Sequence, residues 1–155
     1  MEAPEDWSDV PTFGERSAHA TWVPRPGAYS LIEAADGRIA LVRTHEGLFL
    51  PGGGIEAGET AAEAACREAL EECGLAIEPK DWRVCARRYA YSTPEDKHFE
   101  KRCTFIAAIQ VGPAGTPLER GHELVWAEPA EATARISDDS HAWAVAQWQQ
   151  RLRSA

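Results

Sequence analysis

A chain of 155 residues with 44% hydrophobic content suits one domain around one buried core, which excludes wholesale disorder. Its formal charge of −9 argues against a nucleic-acid polymer as partner, because an acidic surface repels a phosphate backbone unless a basic patch or a bound cation reverses the field. A small anion held through metal ions remains compatible with that charge.

In chain order, residues 1–20 are polar and read as a loosely ordered lead-in. The acidic start, Met1 to Val10, lacks the apolar stretch of a signal peptide. A strand is expected over Gly27–Glu33, then a turn at Ala35-Asp36-Gly37 and a second strand over Arg38–Thr44. Gly47 marks another turn before Leu48-Phe49-Leu50, and Pro51-Gly52-Gly53-Gly54 is a loop open to backbone conformations closed to other residues. Thr60-Ala61-Ala62-Glu63 has the form of a capping box, so a helix starts near Thr60, and Gly74 stands where a helix ending at Cys73 would be capped. Strands are expected over Trp82–Tyr91 and Lys101–Val111, separated by a polar loop from Ser92 to His98. A loop over Gly112–Pro117 and a short strand over Glu123–Ala127 follow. Pro129 suits the first turn of a short helix, and Ser140 can cap a last helix whose Val145, Trp148 and Leu152 recur at helical spacing. There is no internal repeat or linker, so the expectation is a single mixed α/β domain over 1–155, with helices packed on a sheet. No window approaches the roughly 18 apolar residues of a membrane span, and Cys66, Cys73, Cys85 and Cys103 form neither Cys-x-x-Cys nor zinc-finger spacing. The reading is a cytoplasmic protein with reduced cysteines buried as small hydrophobes.

The chemistry concentrates in the helix after Thr60. At about 100° per residue, Ala62, Ala65, Cys66, Ala69 and Cys73 form an apolar stripe. Glu68, Glu71 and Glu72 gather on roughly the opposite side at i, i+3, i+4. One reading is a solvated acidic face. The other is a site for a hard divalent cation, which relieves the mutual repulsion of three carboxylates that Arg67 alone does not neutralise. The glycine loop just upstream favours the second reading, because the backbone of Gly52 and Gly53 can approach a ligand closely.

The stretch Gly53-Gly54-Ile55-Glu56-Ala57-Gly58-Glu59-Thr60-Ala61-Ala62-Glu63-Ala64-Ala65-Cys66-Arg67-Glu68-Ala69-Leu70-Glu71-Glu72-Cys73-Gly74-Leu75 resembles the Nudix box at every charged and glycine position. Ala69 is smaller than the aliphatic residue usual there, but it belongs to the buried stripe. The resemblance extends to Pro11-Thr12-Phe13-Gly14, Arg25-Pro26-Gly27-Ala28-Tyr29 and Ser140-His141-Ala142-Trp143-Ala144-Val145, as in small bacterial proteins of this superfamily. It implies a Nudix fold, a mixed β-sheet sandwiched between helices, with the box as a catalytic loop–helix–loop. It also implies Mg²⁺ or Mn²⁺ held by Glu68, Glu71, Glu72 and the Gly53 carbonyl, with Arg67 and Glu59 paired to hold the loop against the helix.

The implied activity is hydrolysis of a diphosphate linkage in a nucleoside diphosphate joined to another moiety, releasing a nucleoside phosphate. Non-standard or oxidised nucleoside triphosphates and dinucleoside polyphosphates rank first, and nucleotide sugars third. A nucleotide-sensing module without turnover is the alternative, and removal of phosphate from RNA ends is opposed by the acidic charge. The partner is then a small-molecule nucleotide, with no polymer and no membrane, bound by a monomer or homodimer. Outside the box, Glu119 and Glu123 are candidates for the general base. Arg43 is a candidate phosphate contact, Tyr91 and its neighbour Tyr89 are candidate substrate contacts, and Trp22, Phe49 and Trp126 can stack a base, each against a purely structural reading. His98, His122 and His141 have no partner pattern and read as surface residues.

Overall fold

In the computed structural model, residues 3–151 are described. Strands β1 (Thr12–Phe13), β2 (Trp22–Glu33), β3 (Ile39–Thr44), β4 (Gly47–Phe49) and β5 (Gly52–Gly54) precede helix α1 (Ala61–Cys73). Strands β6 (Ile77–Ser92), β7 (Lys97–Gln110) and β8 (Glu123–Ala127) follow, then helices α2 (Pro129–Arg135) and α3 (Asp139–Gln150). They build one mixed eight-stranded sheet in the order β1-β6-β7-β2-β3-β4, with β5 paired to β2 and β8 to β3. The β2–β7 and β1–β6 pairs are parallel and the others antiparallel.

Alternation along β2 sends Ala28 and Ile32 to one face of the sheet and Leu31 to the other. On the first face the small residues Ala64, Ala65 and Ala69 of α1 lie against Ala28, Ile32, Ala40, Val42 and Ile106. On the second, α2 and α3 place Ala132, Ala144, Val145 and Trp148 over Leu31, Ile39, Leu41 and Phe105. The sheet is therefore sandwiched between helices, as expected. Among the described residues no helix is long and apolar enough to cross a membrane.

Several boundaries differ from the sequence reading. Strand β2 begins at Trp22 rather than Gly27, although Pro24 and Pro26 interrupt its start. Over 22–26 its ladder partner is β7, and β5 joins only at Gly27, so the prolines occupy a stretch paired on one side, beyond which, among the described residues, only the Pro26 carbonyl is met, by Ile55 N. The lead-in over residues 1–20 carries short local structure. Residues 1 and 2 lie outside the described residues, but Trp7–Asp9 forms a 3₁₀ turn capped by Asp6, and Thr12–Phe13 pairs with Arg87–Arg88. β6 pairs with β7 on one side and leaves its other edge for those residues. The expected loop from Ser92 to His98 shrinks to a tight turn, because β6 and β7 stay paired out to Ser92 and Lys97. Helix α3 is capped by Asp138, which accepts from Ser140 N and His141 N, so Ser140 lies inside the helix rather than at its cap. Leu152 lies outside the described residues.

Candidate active site

Strands β2 and β3 pair at Glu33 and Ile39 and then part, and β5 takes over as the antiparallel neighbour of β2 from Gly27 to Tyr29. A split therefore opens in the sheet. It holds a cavity of about 200 Å³ lined by Tyr29 of β2, Val42 and Thr44 of β3, Phe49, Gly52, Glu72 of α1, Lys101 of β7, and Asp138 and His141. Residues from both faces thus meet in one groove, with a carboxylate of α1 in its wall.

Helix α1 carries its acidic residues to that groove. The Thr60 hydroxyl accepts from Glu63 N and the Glu63 carboxylate from Thr60 N, completing the expected capping box. At the other end Gly74 has φ +67°, and its N–H and that of Leu75 return to Leu70 and Ala69 carbonyls. The three glutamates do not form an exposed face. Glu72 is only 8% exposed, while Leu70, between them, is 49% exposed. The reason is that two loops cover the acidic flank. Gly52 N–H donates to Glu72 Oε1 at 2.7 Å, and a Cβ on Gly53 would stand 2.7 Å from Glu68 Oε1, so a side chain at 53 would push the Glu68 carboxylate aside. On the other side Leu118 N and Glu119 N both donate to the Glu71 carbonyl, and Gly115 N to the Gly74 carbonyl, which ties the 112–122 loop to the end of the helix.

That second loop completes the cluster. Carboxylate oxygens of Glu68, Glu71 and Glu119 lie within 4.8 Å of one another, as do ligand atoms of Glu72, Glu119 and His122. Burial pushes the Glu72 carboxyl up to about 8, opposed by the Gly52 N–H and reinforced by the charges of Glu68, Glu119 and Glu71. Burial also raises Glu68, opposed by Arg67. A dense set of oxygen donors in which the buried members resist ionisation is the donor chemistry that fits a hard divalent cation.

Arg67 holds the loop. Its Nε and Nη2 donate to Glu59 at 2.7 and 3.0 Å in a forked pair, Nη2 also reaches the Gly54 carbonyl, and Nη1 donates to Glu68 and Glu71. Glu59 also accepts from Glu56 N, and its carboxyl is held below the usual range by Arg67 first and then by that N–H.

Of the candidates outside the box, the structure brings Glu119 into the cluster and Glu123 to Arg43, 3.8 Å away on the paired strands β8 and β3, both exposed. Tyr91 is 51% exposed, and its hydroxyl donates to Asp96 at the β6–β7 turn. Phe49 lines the groove, whereas Trp22 packs on Tyr89 and His98, and Trp126 packs on the core beneath α1. The three histidines are not the surface residues expected. His98 lies against the rings of Trp22 and Tyr91. His122 places Nε2 3.3 Å from both Glu72 and Glu119. His141 is 4% exposed. It falls on the inward stripe of α3 with Ala144, Val145 and Trp148, a spacing the sequence already contained.

His141 Nδ1 accepts from Leu50 N at 3.2 Å, which puts the proton of the neutral ring on Nε2, and the rings of Tyr29, Phe105 and Phe49 surround it. Burial lowers its pKa to about 4, opposed by Asp138, with Lys101 and Arg88 lowering it further. The unfolded chain therefore binds a proton below about 6.5 that the folded chain refuses until about 4. Folding stability is expected to fall as pH drops through that window, by roughly 3 kcal/mol at its foot. Urea unfolding of the wild type and of His141→Gln between pH 7 and 4.5 checks this. The slope is expected to flatten in the variant, and an equal slope in both assigns the loss to other groups.

A comparison with protein-family profiles matches the NUDIX domain over residues 23–149. No match was found among curated protein sequences. Among solved structures, a NUDIX hydrolase from Nitrosomonas europaea is similar with a TM-score of 0.63 at 20% identity, covering 82% of this chain and 89% of that one. An Ap4A hydrolase from C. elegans, solved as a binary complex, gives 0.64 at 16% identity, with 83% and 99% covered. A MutT protein from Methanosarcina mazei Go1 gives 0.61 at 20% identity, with 84% and 96% covered. At such identities these structures speak for the fold alone, whereas the family profile spans most of the chain and includes the whole glycine loop and carboxylate helix. The chain belongs to the Nudix family and is a hydrolase of that family.

Proposed function

We propose that the protein is a divalent-cation-dependent pyrophosphohydrolase that cuts a diphosphate linkage of a small nucleotide and releases a nucleoside phosphate. The observation that carries this is the gathering of Glu68, Glu71 and Glu119 oxygens within 4.8 Å, with Glu72 nearby in the wall of the groove. Glu68, Glu71, Glu72 and the Gly53 carbonyl would hold Mg²⁺ or Mn²⁺. When bound, the cation offsets the charge of the diphosphate and lowers the pKa of water. The chain's own residues do the rest. Arg67, clamped by Glu59, fixes the positions of Glu68, Glu71 and the Gly54 carbonyl. Glu119 accepts the proton of the attacking water as the new phosphorus–oxygen bond forms and the bond to the bridging oxygen breaks. Glu123 is the second candidate for that role, although its carboxylate lies beside Arg43. The groove walls, including Phe49 and Gly52, receive the nucleotide. The name of one structural neighbour, an Ap4A hydrolase, agrees with a free nucleotide as substrate, and the cytoplasm is the compartment where such substrates and reduced cysteines coexist.

A panel of nucleotides assayed with Mg²⁺ or Mn²⁺ tests the reading. Turnover is expected to vanish on exhaustive chelation and to return with either ion, and full activity without cation overturns it. Binding of a nucleotide with no product would favour a sensing module. In the same assay, Glu119→Gln is expected to lower kcat by about 100-fold or more with little change in KM, because the residue acts mainly in the transition state. A slower Glu123→Gln beside an unaffected Glu119→Gln would move the base to β8.

A further inference from the structure

Opposite the carboxylates, the groove meets a row of cations. The register aligns Arg25 of β2 with Lys101 of β7, and Lys101 with Arg88 of β6, so the three side chains stand abreast on the face that carries α3. Like charges directly opposite one another across strands repel. The outer two have carboxylate partners. Arg25 pairs with Glu95 at 3.1 Å, and Arg88 pairs with Asp138 and Asp139. Lys101, in the middle and half-buried, makes no ion pair among the described residues. It faces Cys103 and His141, whose burial keeps both uncharged near neutral pH.

Lys101 also lines three separate cavities. One is the groove, with Glu72 and Gly52. A second, of about 220 Å³, is lined by Arg25, Gly27, Tyr29, Gly53 and Gly54. A third, of about 310 Å³, reaches Arg25, Phe99 and the exposed ring of Tyr91. Lys101 lines all three, and Arg25 lines the last two. A protein of charge −9 thus keeps an ammonium that makes no ion pair among the described residues in the wall of the same cavity as Glu72, a cavity that Glu46 and Asp138 also line. A lysine retained for the fold would be expected to carry a carboxylate, as its two neighbours do.

We propose that Lys101 and Arg25 form a subsite for a further phosphate of the substrate, beyond the diphosphate that is cut. The enzyme then selects nucleotides with three or more linked phosphates over nucleoside diphosphates that end in a neutral sugar. This rests on the pyrophosphohydrolase reading above. A phosphate between the two cations relieves their repulsion, and lysine serves as a point charge while arginine offers its planar fork. Glu95, largely exposed, is the partner that Arg25 exchanges for the ligand.

The test compares wild type with Lys101→Met, Lys101→Arg and Arg25→Met. Calorimetric titration with inorganic tripolyphosphate in Mg²⁺ is expected to show at least tenfold weaker binding in Lys101→Met and Arg25→Met, with Lys101→Arg retaining most of the affinity. In steady-state assays kcat/KM for a nucleoside triphosphate is expected to fall at least tenfold more than kcat/KM for a nucleotide sugar. Absence of tripolyphosphate binding in the wild type, equal affinity in wild type and Lys101→Met, or equal losses on both substrates overturns the subsite. Cation-dependent loss of tripolyphosphate binding in Lys101→Met without hydrolysis of any nucleotide leaves the subsite standing and overturns the hydrolytic reading instead. Unfolding midpoints of the variants, and the behaviour of Lys101→Arg, separate lost affinity from a lost fold.

Discussion

Glu72→Gln is expected to reduce turnover about a thousandfold while making the cation-free protein more stable. The two effects have one origin. Glu72 is almost fully covered, and its carboxyl is raised from the ordinary 4.5 to about 8, chiefly by burial. Its folded pKa exceeds its unfolded one, so the favourable contribution is present below about 4.5 and is lost as pH rises through about 8. At pH 8 without cation the carboxylate is a liability on the order of 4 kcal/mol, which Gln removes while its side-chain oxygen still accepts from Gly52 N–H. With cation the sign reverses, because the ionised carboxylate now has a partner. If Glu72 ligates the cation as proposed, its loss would forfeit several kcal/mol of charge stabilisation, which is the thousandfold in rate. Urea unfolding at pH 8 with and without Mg²⁺, beside a turnover assay, reads both. A variant that unfolds more easily in chelator would make Glu72 a structural residue.

Gly52→Ala is expected to cost more than 3 kcal/mol and to disable the site from the side of the loop. Gly52 has φ +155°, and an added Cβ would meet the Ala28 carbonyl oxygen at 2.3 Å and Tyr29 Cα at 2.7 Å. Both are backbone atoms of β2, which is locked to β7 along its length, so neither can yield. Strand β5 must leave β2 instead, and the Gly52 N–H leaves Glu72 with it. Gly58 is the control. Its φ is +82°, but nothing lies within 4 Å of its virtual Cβ, so Gly58→Ala carries only the left-handed backbone penalty of about 1 kcal/mol. Comparable midpoints for the two variants in thermal unfolding would refute the steric account.

The box was legible because its chemistry is compact in the sequence. One loop and one helix hold the Glu59–Arg67 pair and three of the carboxylates, and helical spacing alone brings Glu68, Glu71 and Glu72 together. What escaped is what depends on distant strands. His122 carries no motif, and its place beside Glu72 follows from the 112–122 loop folding back on the Glu71 and Gly74 carbonyls. Lys101 and Arg25 become neighbours only through the parallel β2–β7 register. The helical wheel located Glu72 on the acidic side of α1 but could not show that two loops would bury it. The extension of β2 back to Trp22 also depends on a distant strand, since residues 22–26 are held by β7. His141 is different, since its inward position was readable from the spacing to Val145 and Trp148.

The pairing order also bears on how the groove comes into being. Strands β6 and β7 are joined by a tight turn and can zip locally as a hairpin, whereas β2 must find β7 in parallel from far upstream, Trp22 opposite His98 through Glu33 opposite Ile109. Closing that long loop costs entropy before any contact rewards it, so the parallel pairing is the slow event. Strand β5 rests on β2, and the split between β2 and β3 exists only once β2 is seated. The groove is thus a late product of folding. A chain that has formed its hairpin and its capped helix already displays the carboxylates but not yet the cavity that would confine a nucleotide beside them.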